Sequence, residues 1–265
     1  MKGQDKATEI RVSSTVPGDE WLDNPRGYHA RRAHLELLQL IPSPGQLVLD
    51  AGCGPGTYGI ILAEEGNEVI GVDISADSVR VAKGRASNKG ARFFPVVGDL
   101  EKLPFKDNSF DVCFCGWSLH HFPDINTAVA EFARVIKPGG RLALAEPNES
   151  ALSVRFSRFV ENMPLLRRWV LNAGWDSPNR TTHIHSDYTE ALERQGFTDI
   201  KVSSCFPGGL PPLPARSQKG RLSSVSRLLI NILFRLRHLL FTGAVKALPG
   251  PLNGADLLIT ATKRG

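Results

Sequence analysis

At 265 residues, 42% apolar and 22% charged with a net charge of +5, the chain has the size and balance of one large globular domain, or one domain with a sizeable insertion. Its four cysteines, Cys53, Cys113, Cys115 and Cys205, show no zinc or disulfide spacing, so reduced thiols in a cytoplasmic compartment are expected. The polar first twenty residues lack the apolar region of a signal peptide, and no run of about 18 apolar residues offers a membrane-spanning helix.

In chain order, residues 1–27 read as a flexible arm. The spacing of Leu35, Leu38 and Ile41 predicts a helix over 28–41, ended by PSPG. Short apolar runs then alternate with helical patterns. Strands are expected at 46–51, 68–73, 92–99, 110–116 and 141–147, and helices at 57–65, 77–87 and 127–136, the last followed by a Pro-Gly-Gly turn. Such alternation predicts an α/β protein with a mostly parallel sheet covered on both faces. The rhythm breaks after Pro147, where an aromatic-rich segment over 150–175 suggests a helical cap. A helix over 187–197 follows, with Asp187 as its N-cap and Gly196 at its end, then a strand at 198–205. A proline-rich linker opens at 207, and a last β-run covers 255–263.

The sharpest chemical signal is DAGCGPGTYG at 50–59. Glycines at 52, 54 and 56 follow a strand and open a helix, which suits close backbone approach to a ligand and positive φ angles. Gly54, Gly56 and Gly59 also satisfy the dinucleotide pattern G-x-G-x-x-G, with Asp73 placed to hold a ribose diol, so a nicotinamide dinucleotide enzyme is one alternative and a purely structural turn another.

The turn, with Asp50 ahead of its glycines, resembles motif I of the class I S-adenosylmethionine-dependent methyltransferases. EVIGVDIS, GDLEKLPFKDNSFDV, SLHHFPD and EFARVIKPGGRLALAEPN agree with that family in order and spacing. The resemblance spans about 30–148 and returns at 183–203 and 255–263. It implies a Rossmann-like seven-stranded sheet with the last strand antiparallel, and S-adenosylmethionine as cofactor. Gly52, Gly54 and Gly56 are expected at its methionine end, with Asp50 suited to its ammonium and Asp73 to both ribose hydroxyls. Ile74 and Leu100 should flank the adenine, Asp99 should accept from its amino group, and Gly116 and Trp117 should lie near the transferring methyl. A core of 28–148, continued at 187–206 and 255–265, would then carry a cap at 149–186 and an insertion at 207–254.

Methyl transfer from a sulfonium is an in-line displacement, for which the protein mainly supplies orientation and exclusion of water. A base is needed only where the acceptor must lose a proton. His120 and His121 are the candidate catalytic residues, although the resemblance implies that at least one of such a pair is structural. As neighbours they point in different directions and form no local metal pair. His183 and His185 could face one side of an extended segment, but no third ligand is evident and no metal is expected. Tyr28 and Arg32 could cover the cofactor.

From Lys201 to Ala255 the chain has no acid and eight basic residues. Over 222–241 a wide apolar face, including Leu228, Leu229, Ile232 and Leu236, lies opposite Arg227, Arg235 and His238. This predicts a lid over an apolar pocket, a peripheral contact of residues 216–246 with an anionic membrane surface, or a homodimer face. Two greasy inserts point to an apolar small-molecule or lipid-like acceptor, methylated at O or C. A nucleic-acid methyltransferase is the alternative suggested by the basic stretch, against which no base-stacking proline tetrapeptide follows the fourth strand. A catalytically silent cofactor-binding partner subunit is the non-enzyme alternative.

Overall fold

The computed structural model describes residues 44–148, 181, 183–205 and 256–265. The helix expected at 28–41 with Tyr28 and Arg32, the aromatic segment 150–175 and the basic helix 222–241 lie outside the described residues. Seven strands form one sheet: β1 (Leu47–Ala51), β2 (Glu68–Asp73), β3 (Phe93–Val97), β4 (Phe110–Gly116), β5 (Ile136–Pro147), β6 (Phe197–Cys205) and β7 (Asp256–Lys263), in the order β3-β2-β1-β4-β5-β7-β6. The pairings of β1, β2, β3, β4 and β5 are parallel, and β7 runs antiparallel between β5 and β6. This is the seven-stranded sheet with an antiparallel last strand that the resemblance implies.

The central strands β1 and β4 and the second half of β5 are mostly apolar because both of their faces are covered. Val48, Val112, Phe114, Ala143 and Ala145 meet Ile60 and Leu62 of α1 (Thr57–Glu64) and Ala82 and Ala86 of α2 (Ala76–Lys89). Their alternates Leu49, Cys113, Cys115, Leu142 and Leu144 meet Val129 and Phe132 of α3 (Asn126–Val135) and Tyr188 and Leu192 of α4 (His185–Arg194). Phe132 is fully buried, so truncating it to alanine would cost about 3–5 kcal/mol.

Local chemistry sets the element ends. Ser75 caps α2 by accepting the Ser78 amide at 3.3 Å, and Gly90, in the left-handed region, ends it. Two expectations are corrected. The Pro-Gly-Gly segment does not separate α3 from its strand: β5 already begins at Ile136, opposite Phe110, and the ladder resumes at Arg141 opposite Val112. The glycines form an irregularity within β5, where a side chain on Gly140 would crowd Ile136 and the Asp111 carbonyl. Asp187 is not the N-cap of its helix. α4 starts at His185, and Asp187 sits one turn in, its carboxylate accepting the Ile184 amide at 2.8 Å.

The order of strands places a crevice where connections diverge, since β1 lies between β2 and β4. Ligands of open α/β sheets bind at such a point, beyond the carboxyl ends of the strands. Those ends here are Asp50–Ala51, Asp73, Gly116 and Glu146–Pro147. Because β7 runs the other way, its first residue, Asp256, sits beside Pro147 at that same edge.

Candidate cofactor and acceptor site

The turn after β1 is built by glycines with positive φ. Gly52 (φ 77°) and Cys53 both donate to the Val72 carbonyl, at 2.8 and 3.0 Å, curling the chain back over β2. A side chain on Gly52 would overlap Ser118 in the loop after β4, whereas one on Gly54 would meet nothing within 4 Å. Gly52 is therefore required by its neighbours, and the surface over Gly54 is open to a ligand. Gly56 (φ 83°), Gly59 and Gly71 all pack against the Phe93 ring, which leaves no room for side chains between α1 and the sheet. Arg85 of α2 donates to the Pro55 carbonyl at 2.6 Å, bracing the turn from outside.

Two acids face this turn. Asp73, at the end of β2, accepts the Gly54 amide on Oδ2 and the Ser75 amide on Oδ1, both at 2.8 Å. Burial pushes its carboxyl up, against the opposing effect of those two amides. Each oxygen keeps a lone pair for a further donor such as a hydroxyl. Asp50, in β1, is 1% exposed. Burial raises it to about 7, the Gly59 amide acts in the other direction, and the charge of Asp73 adds to the rise. Its Oδ2 is buried without a hydrogen-bond partner. A buried carboxylate oxygen left unpaired beside a second acid is a costly arrangement that a cationic ligand relieves.

Ile74 is half-buried between Asp73 and the cap of α2. Asp99, past β3, accepts the Glu101 amide at 3.0 Å, and Leu100 packs under the turn with its Cδ1 3.8 Å from where a Gly52 side chain would begin. Gly116 ends β4, and Trp117 follows with φ 53°, a left-handed conformation uncommon for a large residue. It is held there by its amide to the Ala145 carbonyl at 2.7 Å, its indole to Asp256 at 3.2 Å and a stacked Tyr58 ring at 5.9 Å. Thus Asp50, Asp73 and Gly116 lie at the carboxyl ends of β1, β2 and β4, Gly52, Gly54 and Trp117 just past those ends, and Ile74, Asp99 and Leu100 after β2 and β3, while Gly56 faces inward onto Phe93.

The histidines divide. His120 and His121 lie in a short 3-10 turn, Leu119–His121, and their rings are in contact at 4.0 Å rather than splayed apart. His120 Nδ1 meets Glu146 at 2.8 Å. His183 bonds the Phe122 carbonyl at 2.7 Å and lies on a loop, while His185 opens a helix, so the extended pairing of these two is not formed. Among the described residues no cluster of three groups suits a metal ion, and no helix is long and apolar enough to cross a membrane.

Sequence reasoning missed Glu146, Ser118, Tyr58 and Arg85. Of these only Glu146 left a trace, as an acid interrupting the apolar run of β5. The implied cofactor fits what is present: a buried carboxylate with one unpaired oxygen for an ammonium, a second acid with free lone pairs for a diol, and open space over a glycine turn.

A family described as "Methyltransferase domain" matches residues 49–144. An uncharacterized 37.1 kDa protein in a transposon of Streptomyces fradiae is 36% identical over 228 residues, 77% of this chain and 66% of that protein. The uncharacterized methyltransferase YcgJ of Bacillus subtilis is 39% identical over 126 residues, 45% of this chain and 47% of that protein. The chain thus spans about two thirds and about half the length of these two relatives. A demethylmenaquinone methyltransferase of Staphylococcus aureus is 31% identical over 186 residues, 63% of this chain and 73% of that protein. Among solved structures, phosphoethanolamine N-methyltransferase 2 of Haemonchus contortus, in complex with S-adenosyl-L-methionine, shares the fold with a TM-score of 0.61 at 22% identity, over 88% of this chain and 53% of that one.

Proposed function

Because the chain belongs to the class I S-adenosylmethionine-dependent methyltransferase family, we propose that it moves a methyl group to an O or C atom of an apolar, small-molecule or lipid-like acceptor. The observation that carries this reading is the 31% identity to an enzyme named for a demethylated menaquinone, extending over 73% of that enzyme. The stacked Tyr58–Trp117 pair at the end of β4 supports it, offering an apolar wall for a flat acceptor.

When bound, S-adenosylmethionine supplies an electrophilic sulfonium methyl. Asp50 would hold its ammonium, Asp73 its ribose hydroxyls and Asp99 its adenine amino group, with Ile74 and Leu100 along the adenine. The backbone at Gly52, Gly54 and Gly56 lets the chain approach closely, and Gly116 and Trp117 border the acceptor side. Most of the rate then comes from orientation and water exclusion by these fixed groups. The basic, acid-free stretch over 216–246 supports delivery of the acceptor from an anionic membrane surface.

The test is incubation with methyl-labelled S-adenosylmethionine and a total cell extract, then partition between organic and aqueous phases. Label entering the organic phase supports the reading. Label confined to RNA or to water-soluble products overturns it.

A further inference from the structure

We propose that Glu146 is a positioning residue that holds His120 as the general base for an acceptor hydroxyl. This deepens the function proposed above and rests on it.

Glu146 ends the apolar run of β5 and is fully buried. A carboxyl group there needs several donors to be tolerated. Its Oε1 accepts the Ser118 and Leu119 amides at 3.0 and 2.7 Å, and its Oε2 accepts the His120 amide at 3.2 Å and faces His120 Nδ1 at 2.8 Å. Backbone amides can only donate, so three of them favour the acid as an acceptor, and in this proposal the ring nitrogen facing it carries the proton. Nε2 is then left with a lone pair. No protein group among the described residues bonds Nε2. An imidazole oriented by a buried carboxylate, with its far nitrogen unbonded by any described protein group, is the arrangement of a general base, here on a ring that is itself 8% exposed.

The loop that carries this ring also borders the cofactor turn, since the Ser118 hydroxyl reaches the Gly52 carbonyl at 3.4 Å and Trp117 adjoins it. In the step, Nε2 takes the proton of an acceptor hydroxyl. The electron pair so released forms the bond to the methyl carbon, either at that oxygen or, through an aromatic ring, at the adjacent carbon. The pair of the methyl–sulfur bond stays on sulfur. In the carbon case the ring hydrogen is then exchanged to the oxygen, which restores the aromatic ring. Glu146 stabilises the imidazolium until it returns its proton to water.

A purely structural staple would use the same three amides, so the test separates the two roles. Glu146→Gln turns a side-chain amide toward Nδ1 and should move the proton to Nε2, read by the nitrogen chemical shifts of His120. His120→Asn keeps a donor toward Glu146 but removes Nε2. Each variant should lower kcat on a prenylated 1,4-naphthohydroquinone by about 100-fold or more. S-adenosylhomocysteine affinity should stay within about twofold, and the double variant should be no slower than either single one. Unchanged kcat in folded His120→Asn, or a wild-type His120 already protonated at Nε2, overturns the base assignment while leaving methyl transfer standing. Wild-type protein that labels neither this acceptor nor a lipid extract overturns the function reading itself, and the base assignment with it.

Discussion

Replacing Asp50 by asparagine should strengthen the unliganded fold and weaken the cofactor site at once. Burial lifts the Asp50 carboxyl from 3.8 to about 7, a rise of about 3 pKa units, or about 4 kcal/mol of penalty on the charged form at 1.36 kcal/mol per unit. A carboxyl raised on folding costs nothing below its unfolded value, near pH 4. Its penalty grows as pH climbs through the interval to about 7 and is complete above it. Asparagine keeps the acceptor for the Gly59 amide but leaves an amide group where Oδ2 was unpaired, costing about 1–3 kcal/mol. The variant should therefore exceed wild type at pH 8 by about 1–3 kcal/mol, roughly 2–4 °C of melting temperature per kcal/mol. Near pH 4, where the wild-type carboxyl is neutral, the order should reverse, leaving the variant less stable by about the 1–3 kcal/mol of its unpaired amide. Differential scanning calorimetry of both proteins across pH 4–8 measures it. Calorimetric titration with S-adenosylhomocysteine at pH 6 should show proton release in the wild type only, through a heat that depends on the buffer. The variant should bind more weakly by roughly 10- to 100-fold, the range of a lost charged hydrogen bond. A stability difference that does not change with pH, together with a buffer-independent heat of binding, would refute the electrostatic reasoning.

Gly52→Ala forces a side chain into Ser118 at a positive φ, so it should abolish cofactor binding, while Gly54→Ala, which meets open space and bears only the strain of its own positive φ, about 1–2 kcal/mol, retains a folded protein; fluorescence titration and circular dichroism distinguish these. Asp73→Asn should lose more than tenfold in cofactor affinity by equilibrium binding, because one of its two amide anchors then faces a donor. Arg134 ties α3 to the β3–β4 loop through Asp107 and the Leu103 and Phe105 carbonyls, and bonds Glu131 of its own helix. Arg134→Met should cost about 2 kcal/mol in urea unfolding. The hydrogen bond from Arg134 holds Glu131 below its usual value against partial burial, so this part of the stability is present above pH 4.5 and is lost as pH falls through the depressed value, opposite in sign to Asp50.

The strands, α1 to α3 and the glycine turn were legible in the sequence because their causes are local. Apolar runs of strand length, a serine cap with a glycine end, and glycines at positive φ act within a few residues. Asp50 and Asp73 were legible because each sits at a strand end beside that turn. The residues that escaped are those whose partners are far along the chain. Glu146 meets the 118–120 loop only because β4 and β5 pair in parallel, which brings both carboxyl ends together. Asp256 reaches Trp117 only because β7 runs antiparallel. His185 parts from His183 because a helix starts between them, one turn earlier than the acid suggested. By itself the sequence determined the glycine turn and the acids at the ends of β1 and β2. The packing of the sheet decided which of them would face one another, since a buried charge is tolerated only where the fold delivers its donors.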